Sequence, residues 1–436
     1  MLELHAPAGE NATTMAAESS RPMHGVLALL AISLFINYID RGSLSIAAPL
    51  VKDEFHLTAT HLGLLLSSFF WTYSLFLIVS GWLVDRFNVN WVLAGGFLLW
   101  SLATAVTGMV HVFAALLAAR LALGAGESVS YPACSNLLSR HFPEHRRGFA
   151  NAVIIAGMAC GSAFGTFGGG LFLGRFGWRP FFLLLGLAGL LWLAPWSYWT
   201  VRHANLKPSL DAASNHSAPT MLAILRQRSA WGTCAGLFCM DYALYFLITW
   251  LPFYLVRDRG FSLATMGKIG GLAYLLMALS TTAAGWVSDL WIAAGGSPTL
   301  VRKTFMCAGQ IATGILLAAC VVSGTQLAVA WLLLATVAWG VSASNTWAIT
   351  QTLAGPLAAG KWTGLQNFMG NLAGVAAPAL TGLLLDRTGR FFWPFAITAL
   401  ITMAGSLTWI FAVGKLLPID WTRASSGLAV TPLTEP

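Results

Sequence analysis

Apolar stretches of about 20 residues recur twelve times along the chain, and each is long enough to cross the ~30 Å hydrocarbon core of a bilayer as a helix. They begin near Val26, His61, Trp91, Phe113, Gly148, Arg179, Ala230, Ala264, Lys303, Leu327, Trp362 and Phe392. The pattern predicts an all-α membrane protein of twelve transmembrane helices. Few polar segments remain. Residues 1–24 are expected to form a disordered cytoplasmic tail, residues 202–227 a cytoplasmic linker, and residues 416–436 a second cytoplasmic tail. Between them lie six-helix bundles at 25–201 and 228–415. The first 24 residues lack the basic stretch and short apolar core of a cleaved signal, so the first span is expected to be the targeting element.

The two bundles echo each other. Ser80-Gly81-Trp82-Leu83-Val84-Asp85 closes the second span, and Ala284-Gly285-Trp286-Val287-Ser288-Asp289 closes the eighth, 204 positions later. Because each copy has an even number of spans, both have the same orientation. They form parallel repeats about an axis normal to the membrane, with a substrate site expected between them near the midplane.

Composition narrows the function. With 57% of residues apolar and 9% charged, there is no room for a catalytic domain outside the membrane. No nucleophile, metal cluster or cofactor motif is present in the pattern, so neither enzymatic activity nor a cofactor nor a bound metal is expected. The six cysteines form no C-x-x-C pair and read as small core residues. If the N-terminus lies inside, fourteen lysines and arginines fall on the cytoplasmic side against eight outside, with Arg41 and Arg120 left in the membrane. That bias places both termini in the cytoplasm. The net charge of +8 then reflects this bias and contact with anionic lipid, and no nucleic-acid motif accompanies it.

Charges inside the spans are the candidate chemistry. Asn37-Tyr38-Ile39-Asp40-Arg41 interrupts the first span, although an ionisable side chain at the bilayer centre costs about 2.5–3.5 kcal/mol on insertion scales. Such residues usually face a polar cavity. Arg120, Gly124, Glu127 and Tyr131 share one face of the fourth span at i, i+4, i+7 and i+11 spacing. Arg120 and Glu127 are about 10.5 Å apart along the helix, too far for direct contact. Glu127 is therefore the acid expected to exchange a proton, and Asp40 is the second, with a proton conditional on pairing to Arg120. Arg41 is the candidate for gripping a carboxylate, since a guanidinium offers a bidentate fork. Tyr38 and Tyr73 can reach the same space. In the second bundle, Asn367 and Asn371 lie on one face of the eleventh span, Asn345 and Trp347 lie in the tenth, and Tyr245 lies with Asp241 in the seventh. Asp241 reads equally as a third protonatable group or as a helix tie. Gly157, Gly161 and Gly165 have the small-x-x-x-small spacing of close helix packing.

These motifs resemble the major facilitator superfamily over residues 25 to 415. Gly81-x-x-x-Asp85-Arg86 matches the loop that clamps the cytoplasmic helix ends in the outward-open state, echoed by Gly285 and Asp289. Asn88, Val89 and Asn90 replace the usual glycine and basic residues, and Leu290 replaces the second arginine. Asn-Tyr-x-Asp-Arg in span one, Arg120-x-x-x-Gly124-x-Gly126-Glu127 in span four and Thr249-Trp250-Leu251-Pro252 in span seven are similar to the anion:cation symporter branch, which includes bacterial hexuronate and galactonate transporters. The resemblance implies a bacterial inner-membrane protein, functional as a monomer, that imports a small organic anion, foremost a sugar acid, in symport with protons by alternating access. It implies substrate contacts for Tyr38, Arg41, Tyr73 and Glu127, proton coupling through Asp40 and Glu127, and a charge-partner role for Arg120. An organic-anion exchanger or an exporter of the same superfamily would share the fold.

Overall fold

The computed structural model describes residues 8–141, 144–202 and 219–421. Residues 1–7, 203–218 and 422–436, which belong to the expected tails and linker, lie outside the described residues, as does the side chain of Asp85. Among the described residues, twelve helices are long and apolar enough to cross a membrane. They are α1 (Gly25–Glu54), α2 (Ala59–Val84), α3 (Val89–Thr107), α4 (Phe113–Leu138), α5 (Val153–Phe176) and α6 (Trp178–Arg202), followed by α7 (Arg228–Asp258), α8 (Leu263–Ala293), α9 (Pro298–Val322), α10 (Thr325–Gly355), α11 (Ala358–Thr388) and α12 (Phe392–Ala412). The helix that contains α1 begins at Ala8. All regular structure among the described residues is helical.

Local chemistry explains the breaks. Gly355 has φ 62 and ψ 177, a conformation open essentially to glycine alone, and it turns the chain from α10 into α11. The helix loosens at Ser128 and Val129 in α4, and again at Ser344 and Asn345 in α10, the matching helix of the second repeat. Both breaks directly adjoin polar residues at mid-depth.

In a membrane, helices associate where small residues let backbones approach. Gly157, Gly161 and Gly165 of α5 face the backbone of Ala31, Phe35 and Ile39 in α1, as their spacing predicts. Gly124 and Gly126 press α4 between α2 and α3, with Thr72 Oγ1 and the Trp100 amide within 3 Å of where a Cβ would stand. That approach brings Glu127 against Arg41 of α1.

The two halves meet at symmetry-related places. Gly63 of α2 lies against Pro378 and Gly382 of α11, and Gly170 of α5 lies against Leu263 and Gly267 of α8. Every hydrogen bond and ion pair between the halves, among the described residues, lies on the face opposite the chain termini. There Arg257 of α7 pairs with Asp53 and donates to the Pro49 carbonyl at 3.2 Å. The Asp386 carboxylate accepts from the amides of Ala59 and Thr60 at 2.8 and 2.6 Å. These amides open α2, where helix N–H groups are unsatisfied and the dipole favours an anion. This face is latched shut.

The terminus face differs. A Cβ on Gly81 would meet nothing within 4 Å, and one on Gly285 would touch only Ser344 of its own half at 3.9 Å. Arg86 and Asp289 are exposed. Among the described residues, neither motif glycine is therefore pressed against the opposite half, and no hydrogen bond or ion pair joins the halves on this face.

Replacing Gly382 by leucine drives a side chain into the Ala59 carbonyl. The variant is expected to hold the latched face apart, so that a cysteine at Ala59, buried in the parent, reacts several-fold faster with a membrane-impermeant maleimide. An unchanged labelling rate would show that this contact does not govern closure.

Candidate functional site

The first half assembles four charges at mid-depth. Asp40, Arg120 and Glu127 are buried, and Arg41 is almost so. Arg41 Nη2 stands 3.4 Å from Glu127 Oε2, an ion pair between α1 and α4. Its guanidinium lies 4.6 Å from the ring centre of Tyr73, 4.8 Å from Tyr38 and 5.3 Å from Phe69. Each such cation–π contact contributes about 0.5–2 kcal/mol. Arg120 lies over the same Phe69 ring, also at 5.3 Å. Phe69 and Tyr73 stack at 5.3 Å, one helical turn apart on α2.

The charges are unevenly satisfied. Asp40 Oδ1 accepts from Thr104 Oγ1 of α3 at 3.2 Å. Arg120 Nε and Nη1, Arg41 Nε and Glu127 Oε1 are buried without a hydrogen-bond partner among the described residues. Burying a charge without a partner costs several kcal/mol, and a desolvated guanidinium recovers that cost by taking an anion. The site therefore holds cationic donor capacity in reserve, and the acid that occupies one arginine can be neutralised by a proton.

The second half supplies a neutral polar wall. Tyr245 Oη donates to Asn371 Oδ1 at 2.8 Å, and Asn371 Nδ2 donates to the Asn367 carbonyl at 2.8 Å. Phe70 of α2 packs against Tyr245 at 4.5 Å and against Gly374, which links this wall to the arginine cage. Asp241, one turn before Tyr245, sets its carboxyl against Gly370.

Tyr38, Arg41, Tyr73 and Glu127 are brought together, and so are Tyr245, Asn367 and Asn371. Asp40 and Arg120 share the first group's surroundings without a hydrogen bond between them. Asn345 is engaged elsewhere: Ser288 Oγ donates to its Oδ1 at 3.0 Å, and its Nδ2 donates to Ser344 Oγ at 3.0 Å. Trp347 is 38% exposed and makes no hydrogen bond to Tyr245 or Asn371 among the described residues. Tyr131 lies beyond the break in α4 and is exposed. Sequence reasoning missed Thr104, Phe69 and Phe70. A threonine or phenylalanine in an apolar span carries no periodic signal that separates cavity lining from packing.

Comparison with known proteins agrees with this architecture. The chain is similar to the "Probable anion transporter 4, chloroplastic" of Oryza sativa subsp. japonica, at 31% identity over 89% of this chain and 68% of that protein. It is similar to the "Hexuronate transporter" of Bacillus subtilis, at 29% identity over 88% of this chain and 92% of that protein. Its fold superposes with a TM-score of 0.74 on the crystal structure of a bacterial homologue of the human lysosomal transporter Spinster, solved inward-facing and unoccupied, at 17% identity over 92% of this chain and 96% of that one. The family model of the Major Facilitator Superfamily matches residues 30–378, and the chain, a multi-pass membrane protein, belongs to that superfamily.

Proposed function

We propose that this protein imports a small organic anion, foremost a sugar acid, in symport with protons by alternating access. The observation that carries the reading is the Arg41–Glu127 pair at 3.4 Å inside the Tyr38–Phe69–Tyr73 cage. With Glu127 ionised, it occupies Arg41. A proton on Glu127 removes the counter-charge and frees the guanidinium fork for a substrate carboxylate. Proton and anion then bind in favour of each other. Arg120, with two unpartnered nitrogens, adds attraction, and Asp40 provides a second proton site beside Thr104. The relatives support the substrate class, since one is named a hexuronate transporter and another an anion transporter.

Tyr245, Asn367 and Asn371 supply hydroxyl and amide groups for the far end of the substrate, and Asn345 and Trp347 of α10 come into reach when the halves rock. The latch at Asp386 and Arg257 opens as the clamp at Gly81, Asp85, Arg86, Gly285 and Asp289 closes. The protein works as a monomer in a bacterial cytoplasmic membrane, with both termini cytoplasmic. Two protons with a monovalent anion move net positive charge inward, and the membrane potential contributes about 2.3 kcal/mol per 100 mV for that charge.

In proteoliposomes with a luminal pH dye, addition of a sugar acid is expected to acidify the lumen. Silence across hexuronates, aldonates and aldarates, with folded protein, would overturn the reading.

Glu127→Gln mimics the protonated acid. It is expected to bind anion with an affinity that changes less with pH, whereas affinity in the parent rises more steeply as pH falls. The variant should exchange substrate across the membrane yet fail to accumulate it. Isothermal titration at several pH values and counterflow assays measure both.

Arg41→Ala should weaken anion binding about tenfold or more, since a hydrogen bond to a charged group contributes about 1.5–3 kcal/mol. Arg41→Lys should recover part of the loss, because it restores the charge but not the fork. Normal affinity in Arg41→Ala would remove that residue from the site.

A further inference from the structure

Asp241 is an acid that the coupling scheme does not use. It lies near the middle of α7, four residues and about 6 Å before Tyr245 on the same helical face. Because α7 starts on the terminus side, this places Asp241 one turn toward the terminus face from the Tyr245–Asn371 hydrogen bond. Its Oδ2 stands 2.7 Å from where a Gly370 Cβ would be, so glycine at 370 is what makes room for the carboxyl. A helix tie requires a partner, and among the described residues Asp241 has no hydrogen bond and no ion pair. It is only partly buried, and it lies one turn from Tyr245, whose ring packs on Phe70 of the first half. Phe70 in turn meets Phe69 at 5.0 Å, the ring over which the Arg41 guanidinium lies at 5.3 Å.

We infer that Asp241 is the specificity-determining residue for the end of the substrate remote from the carboxylate held at Arg41, selecting monocarboxylates with a hydroxylated far end over dicarboxylates. This rests on the anion-binding role of Arg41. A carboxyl at this position pairs with the hydroxyl groups of a polyol chain in either protonation state. A second substrate carboxylate placed there stacks two acids, which costs either like-charge repulsion or an additional proton. One end of the cavity thus demands an anion and the other disfavours one. Discrimination of this kind comes from a repulsive element as much as from an attractive one.

Galactonate and galactarate differ only at the terminal carbon, which makes them the probe pair. In the purified full-length protein, dissociation constants for both acids are measured for the parent and for Asp241→Asn, which keeps the shape and removes the charge. The parent is expected to favour galactonate by about tenfold or more, and Asp241→Asn to lose most of that preference by binding galactarate better. Gly370→Ala, which displaces the carboxyl without removing it, should shift the ratio in the same direction, and it decides the matter if the asparagine variant does not fold. Equal binding of the two acids by the parent, or an unchanged ratio in a folded variant, would overturn the role of Asp241 alone. Failure of the parent to bind either acid would overturn the anion site at Arg41 and this inference with it.

Discussion

The low dielectric of the membrane interior is the constraint on which this structure depends. Two arginines and two carboxylates are placed at mid-depth, where each would be costly alone. Only one close ion pair forms among them, Arg41 with Glu127. Aromatic faces carry part of the remaining burden: Phe69 lies within cation–π range of both guanidiniums. A fully neutralised cluster would be inert. Here Arg120 nitrogens and a Glu127 oxygen have no hydrogen-bond partner among the described residues, which leaves donor and acceptor capacity in the cluster.

The same economy of contacts shapes the larger architecture. Glycines on α5 press it to α1, and glycines on α4 press it to α2 and α3, so that the charged faces converge. Between the halves, tight backbone approach and a few polar bonds lie on one face only. Asp386 on the first amides of α2 is a bond that breaks without leaving a buried orphan, because a helix N-terminus and an exposed carboxylate can both be hydrated. The opposite face holds the repeated Gly-x-x-x-Asp motif, whose glycines touch nothing of the other half.

The two halves bring different chemistry to the shared space. The first is charged and caged by aromatic rings. The second is mostly amide and hydroxyl, with a single acid set against a glycine.

Much of this was legible from residue order. Twelve apolar stretches can only be satisfied as helices in lipid, since each backbone group has to bond within its own segment. The repeat at Gly81 and Gly285 established two like halves, and spacing alone aligned Arg120 with Glu127 and the α5 glycines with a neighbouring helix. Which partners those residues take was decided by the tertiary structure. Arg41 pairs with Glu127, 86 positions away, and Asp40 takes a hydroxyl from Thr104 instead of an arginine, because helix rotation and a glycine-mediated approach determine which faces meet. Asn345 looked like cavity lining and is held by Ser288, since a break in α10 turns its amide toward α8. Hydrophobic periodicity tells which side of a helix avoids lipid. It does not tell whether that side meets a neighbour or a cavity, and the distinction rests on contacts between residues far apart in the chain.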